Sequence, residues 1–170
     1  MKLILSVLIV LFSITFANAQ WVEQTSGVTT QLTSVSAIDG NNAWICGYSG
    51  VVLRTTNGGL NWLNATASPI PTTLNLHCIF GIDASTALVC GSGTAAFVFK
   101  TINGGANWTQ VFTETGGFMN TILMGNPMLG FMSGDPVGGR GRCGQCQWVG
   151  RHSVWGEWRG DRHGGGHRNR

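Results

Sequence analysis

Thr55-Thr56-Asn57-Gly58-Gly59-Leu60-Asn61-Trp62 recurs as Thr101-Ile102-Asn103-Gly104-Gly105-Ala106-Asn107-Trp108, displaced by 46 positions. A period of that length marks a repeat architecture. The residues inside it decide which kind. The Asn side chain can bond backbone N–H groups just downstream, and the two glycines accept positive φ without steric cost, so each copy suits a tight hairpin between strands. The Trp that follows places a large ring over the turn, where it can bury roughly 150–250 Å² against a neighbouring sheet. The stretch is equipped to lock a corner rather than to catalyse.

The repeat extends beyond this stretch. Leu32, Val35, Ile38, Asp39, Ala43, Cys46 and Gly47 return 44 positions later as Leu76, Ile79, Ile82, Asp83, Ala87, Cys90 and Gly91. A third unit begins when Ile79, Asp83 and Gly91 return 43 positions on as Ile122, Asn126 and Gly134. In the first unit, residues 32–38, 43–47, 51–55 and 62–65 read as short strands separated by turn-rich clusters at 39–42, 48–50 and 57–59. No window outside the N-terminus carries a helical period. The fold class is therefore all-β: an incomplete β-propeller of four-stranded blades over residues 20–137, with two complete units and part of a third. A propeller typically needs ~4–8 blades to close. The unpaired blade edges of a shorter array imply self-association.

Thr55, Asn57, Gly59 and Trp62, and again Thr101, Asn103, Gly105 and Trp108, follow the spacing Thr/Ser-x-Asp/Asn-x-Gly-x-x-Trp. This pattern resembles the Asp-box, or bacterial neuraminidase repeat (BNR). The stretch from residue 21 to 135 resembles secreted, often non-photosynthetic bacterial, propellers related to the photosystem II assembly and stability factor family. Both boxes carry Asn where the name implies Asp, a change compatible with capping a turn. The resemblance implies a fold and a structural role for these eight residues. It does not imply one function, because the box also serves sialidases, xyloglucanase-type glycoside hydrolases and noncatalytic receptors.

Residues 1–19 read as a cleaved signal peptide, with Lys2 before an apolar run over 3–16 and Ala17-Asn18-Ala19 as the cleavage site. The run is shorter than the ~17–25 residues of a spanning helix. No Cys follows the cleavage site to take a lipid anchor. The mature chain is expected to be secreted, periplasmic or at the cell surface, without a stable membrane anchor.

The formal charge of +3 conceals a division. Residues 20–137 hold two bases, Arg54 and Lys100, against five acids, and residues 138–170 hold seven Arg against Glu157 and Asp161. This tail has ten Gly and no Leu, Ile, Phe or Thr, and it begins where the third unit should continue. It reads as disordered, arising either from a reading-frame shift near residues 138–140, which would leave the propeller truncated, or as a genuine Gly/Arg-rich tail. Its charge implies weak, salt-sensitive attraction to polyanions but no specific nucleic-acid partner.

Cys46 and Cys90 occupy equivalent second strands and Cys78 lies in the first strand of the second unit, all suited to packing as small apolar side chains. A Cys46–Cys90 bridge asks for a Cα separation of ~4.4–6.8 Å, and repeat-equivalent positions on adjacent blades are expected to lie farther apart. In the tail, Cys143, Cys146, His163 and His167 imitate zinc-ligand spacing, but the 16 residues between the pairs lack the apolar positions of a finger. No metal or other cofactor is expected.

Catalytic constellations are weak. A sialidase needs several arginines and an activated nucleophile, whereas the repeat region has one Arg (Arg54) and the chain one Tyr (Tyr48). A glycosidase needs two facing carboxylates. Asp39 and Asp83 sit in equivalent turns, while Glu114 and Asp135 lack evident partners. His77 beside Cys78 reads as a packed or rim histidine. The chain is expected to be a noncatalytic binding or assembly propeller for a protein or a glycan. The alternative is a fragment of a carbohydrate-active enzyme without its catalytic blades.

Overall fold

The computed structural model describes residues 21–126, 129–135 and 142–147. Among these residues eleven strands form three antiparallel sheets, each a meander. The first blade contains β1 (Leu32–Ala37), β2 (Ala43–Gly47), β3 (Val52–Thr55) and β4 (Leu63–Asn64). The second contains β5 (Asn75–Gly81), β6 (Ala87–Ser92), β7 (Ala95–Thr101) and β8 (Thr109–Thr115). The third orders β9 (Phe118–Asn126), β10 (Leu129–Asp135) and β11 (Arg142–Gln147) side by side. The array is thus part of a propeller: two four-stranded blades and three strands of another. β4 is shorter than the sequence suggests, because pairing beyond it passes to the Ala65 N–H on the Val52 carbonyl (2.8 Å) and the Val52 N–H on Thr66 Oγ1 (2.8 Å).

The signal-peptide reading over residues 1–19 lies outside the described residues, as do 138–141 and 148–170 of the tail. One part of the tail reading is corrected. Arg142–Gln147, expected to be disordered, pairs antiparallel with β10 from Gly134↔Arg142 to Leu129↔Gln147. The free edge of β10 presents backbone donors and acceptors that an extended segment satisfies whatever its side chains, so composition alone missed the strand.

The sheets meet through their first strands. β1 packs on β5 and β5 on β9, so the first strands lie together at the inner ends of the blades. The period-2 alternation of each strand then assigns one face to the preceding blade and one to the next. Ile79, Val89 and Phe99 form a cross-strand row facing the first blade. Leu88, Cys90 and Val98 point the other way, into the core shared with Ile122 and Met132 of the third blade. β6 is buried along its whole length because both of its faces are covered.

Candidate functional site

The two Asp-boxes fold alike. Thr55 Oγ1 donates to Asn57 Oδ1 (2.9 Å) and accepts the Gly59 N–H (3.0 Å), while Asn57 Oδ1 also accepts the Asn61 N–H (3.0 Å). Thr101, Asn103, Gly105 and Asn107 repeat these bonds at 3.0 Å each. The turn uses only the acceptor oxygen of Asn57 and Asn103, so an amide serves where the box usually has a carboxylate. Gly58 and Gly59 lie at φ of 70° and 86°, and Gly104 and Gly105 at 72° and 87°, a region closed to most side chains.

Their surroundings differ. Trp108 is buried between blades, its ring edge-on to Trp44 at 6.2 Å and its indole N–H on the Ala65 carbonyl at 2.8 Å. Trp62 has no preceding blade among the described residues. It is half-buried, and its indole N–H meets Gln24 Oε1 (3.2 Å) from the extended N-terminal segment. An open groove of about 530 Å³ lies there, lined in part by Thr25, Thr56, Leu60 and Trp62. Equal position in the repeat therefore does not give equal burial, because burial depends on the neighbouring blade.

The described carboxylates are spent on architecture or stand apart. Asp39 Oδ1 accepts the N–H groups of Asn41 (2.7 Å) and Asn42 (2.8 Å), and Asp83 Oδ1 those of Ser85 (2.7 Å) and Thr86 (2.8 Å). The Asn42 side chain and these backbone donors hold Asp39 below the usual carboxylate range. Partial burial pushes Asp83 up, but the bonds from Ser85 and Thr86 outweigh it and leave that carboxyl low as well. Both turns are tied to the box of their own blade, through Gly58 N–H on the Asn41 carbonyl (2.9 Å) and Gly104 N–H on the Ser85 carbonyl (2.8 Å). Glu114 sits on the outermost strand of the second blade. Arg54 lies over the Trp44 ring at 5.5 Å, at the seam between blades. Among the described residues, no group of three or more His, Cys, Asp or Glu side chains could hold a metal. Of the zinc-like set, His163, His167 and the side chains of Cys143 and Cys146 lie outside the described residues.

What the structure brings together is a cluster of three rings, one from each blade. Tyr48 follows β2, His77 lies on β5, and Phe118 opens β9. Tyr48 and His77 meet edge-on at 6.4 Å, and His77 and Phe118 lie 4.6 Å apart with planes tilted by 33°. Phe118 remains 40% exposed, so the cluster is open to a ligand. His77 Nε2 is buried and has no hydrogen-bond partner, and burial lowers its pKa, which favours the neutral ring. Sequence reasoning singled out His77 only as a packed or rim residue. Positions 48, 77 and 118 are not separated by the repeat offsets, so periodicity carried no signal for the cluster.

These features define an Asp-box β-propeller. Residues 15–128 match the model of the photosynthesis system II assembly factor YCF48 family, and the chain belongs to that family. Two solved structures share the fold. One, described as YCF48 bound to D1 peptide, aligns with a TM-score of 0.60 at 17% identity, over 77% of this chain and 41% of its own. YCF48 from Cyanidioschyzon merolae aligns with a TM-score of 0.53 at 14% identity, over 67% of this chain and 38% of its own. The chain thus spans about two fifths of these structures. No curated protein matches its sequence.

Proposed function

We propose that the chain acts after export as a noncatalytic propeller that holds an extended segment of a protein partner across the inner ends of its blades. The observation that carries this reading is the ring cluster of Tyr48, His77 and Phe118, to which three successive blades each contribute one side chain. Aromatic rings give large contact area with little entropy to lose, and Phe118, still 40% exposed, presents its ring to an incoming segment. The turn-capping roles of Asp39 and Asp83 argue against an acid/base pair. The solved relative with a D1 peptide supplies the class of partner.

Calorimetric titration of the full chain with the D1 peptide, beside a panel of glycans, tests the reading. Saturable peptide binding is expected, weakened about 30-fold or more by Phe118→Ala, as for a central aromatic anchor. Binding indifferent to both Phe118→Ala and Tyr48→Ala, or selective for glycans, refutes it. Export predicts a mature N-terminus at Gln20, read by N-terminal sequencing. Association between chains is a further expectation. It rests on Val35 on the open face of the first blade (66% exposed) and on Leu123 (60%) and Phe131 (42%) on the open face of the third, and sedimentation measures it.

A further inference from the structure

The first two blades place equivalent rows on the face turned toward the next blade: Ser34, Cys46 and Val52 in the first, and Cys78, Cys90 and Val98 in the second. The first residue of each row has the same task. Ser34 Oγ accepts the Ile79 N–H across the seam between the first and second blades (3.3 Å), and Cys78 Sγ accepts the Ile122 N–H across the next seam (3.4 Å). A hydroxyl in one blade is thus replaced by a thiol in the other. We infer that Cys78 and Cys90 form an oxidisable dithiol built into the seam between the second and third blades, and that its redox state governs how tightly β9 is fastened to β5.

The geometry meets the requirements of a disulfide. Cys78 and Cys90 are register partners on adjacent antiparallel strands, immediately after a bulge that re-aims Cys78. Such partners have Cα atoms about 4.5–5.5 Å apart, within the ~4.4–6.8 Å that a disulfide spans. Both thiols are free, and both pack into the core shared with the third blade. Both also point to β9: Cys78 Sγ lies 3.7 Å from the Ile122 carbonyl and from Thr121 Oγ1, and Cys90 Sγ 3.9 Å from the Met119 carbonyl. Cys78 is half-buried and Cys90 wholly buried, so a small oxidant reaches Cys78 first.

The chemistry then has a fixed order. The Cys78 thiolate attacks one sulfur of a low-molecular-weight disulfide, forming a mixed disulfide and expelling one thiolate. The Cys90 sulfur, losing its proton, attacks Cys78 and expels the second. The protein gives up two electrons and two protons, and the small disulfide leaves as two thiols. The adjoining Cys90 thiol holds Cys78 below the ordinary thiol range despite its burial, which suits it to attack. Desolvation pushes Cys46 up to about 12, and that thiol stays inert. A bridged sulfur is a poorer acceptor than a thiolate, so oxidation weakens the hold on the Ile122 N–H. The seam held by Ser34 is untouched.

The full chain is equilibrated with mixtures of oxidised and reduced glutathione, alkylated, digested with trypsin and weighed. Peptide 55–100 contains Cys78 and Cys90 and no other Cys. It is expected to appear about 2 Da lighter and unalkylated, while Cys46 alkylates only after unfolding. Hydrogen exchange at Ile122 is expected to accelerate about tenfold on oxidation, the size of one lost hydrogen bond, with Ile79 unchanged. Cys90→Ala should stop the reaction at a glutathione adduct on Cys78, and Cys78→Ser should keep the latch and abolish the response. Failure of peptide 55–100 to lose mass at any glutathione ratio, a Cys46–Cys90 link, or equal exchange at Ile122 in both states overturns the inference.

Discussion

Trp62 and Trp108 hold the same place after the same turn, yet the structure assigns them different energetic weights. Trp108→Ala removes a ring that is only 4% exposed and leaves the Ala65 carbonyl without the indole N–H it accepts at 2.8 Å. Replacing a buried Trp by Ala costs about 3–5 kcal/mol. The edge-on contact with Trp44 is included in that figure and should place Trp108 in its upper half. Trp62→Ala removes a half-buried ring whose one polar partner is an exposed Gln24 side chain, so about 1–2 kcal/mol is expected. Urea unfolding followed by circular dichroism measures both, with the slope of the transition checked so that midpoints can be compared. Equal losses would refute the reasoning, since they would mean that something covers the open side of the first blade in solution as the first blade covers Trp108.

Four further outcomes follow from the same geometry. Gly105→Ala should cost about 1–2 kcal/mol more than Gly59→Ala in the same unfolding assay. Both are at positive φ, but a Cβ at 105 meets the backbone and Cβ of Ala65, whereas one at 59 meets the movable Gln24 side chain. Ser34→Ala should release the Ile79 N–H, and hydrogen exchange should quicken there while Ile122 is unchanged. The lowered carboxyls of Asp39 and Asp83 contribute stability that is full above the ordinary carboxylate range near 4. It is lost as pH falls through their folded values, and Asp39→Asn with Asp83→Asn should flatten that acid limb in thermal melts. His77, lowered by burial, contributes in the same direction over a higher window, from its ordinary pKa near 6.5 downward, and His77→Phe should remove that portion.

Much of the fold was legible because a repeat declares itself several times. The strand runs at 32–38 and 43–47 agree with β1 and β2 to within a residue, and the return of Asp39 as Asp83 marks two turns built from the same bonds. What was not legible depends on neighbours. The half-burial of Trp62 follows from the lack of a preceding blade among the described residues. β11 was hidden because its composition departs from the repeat, although backbone pairing requires no particular side chains.

The candidate site was hidden for the opposite reason. Residues that hold the blades together recur at fixed offsets, since every blade meets the same packing demand, and such positions carry no information about a ligand. A ligand approaching the inner ends meets each blade only once, so it is served by residues that differ between blades. Thr33 bonds the Cys46 and Leu76 carbonyls where the next blade has His77 with an unsatisfied nitrogen, and Tyr48 stands where the next blade has Ser92 capping the Met119 N–H. Ser34 likewise gives way to Cys78. In each case the change of residue leaves the strand pairing in place and alters the chemistry at the inner end or in the seam between blades. In a blade array, departures from the repeat at buried or half-buried inner positions are therefore the places to look for function, and here they gather around β5.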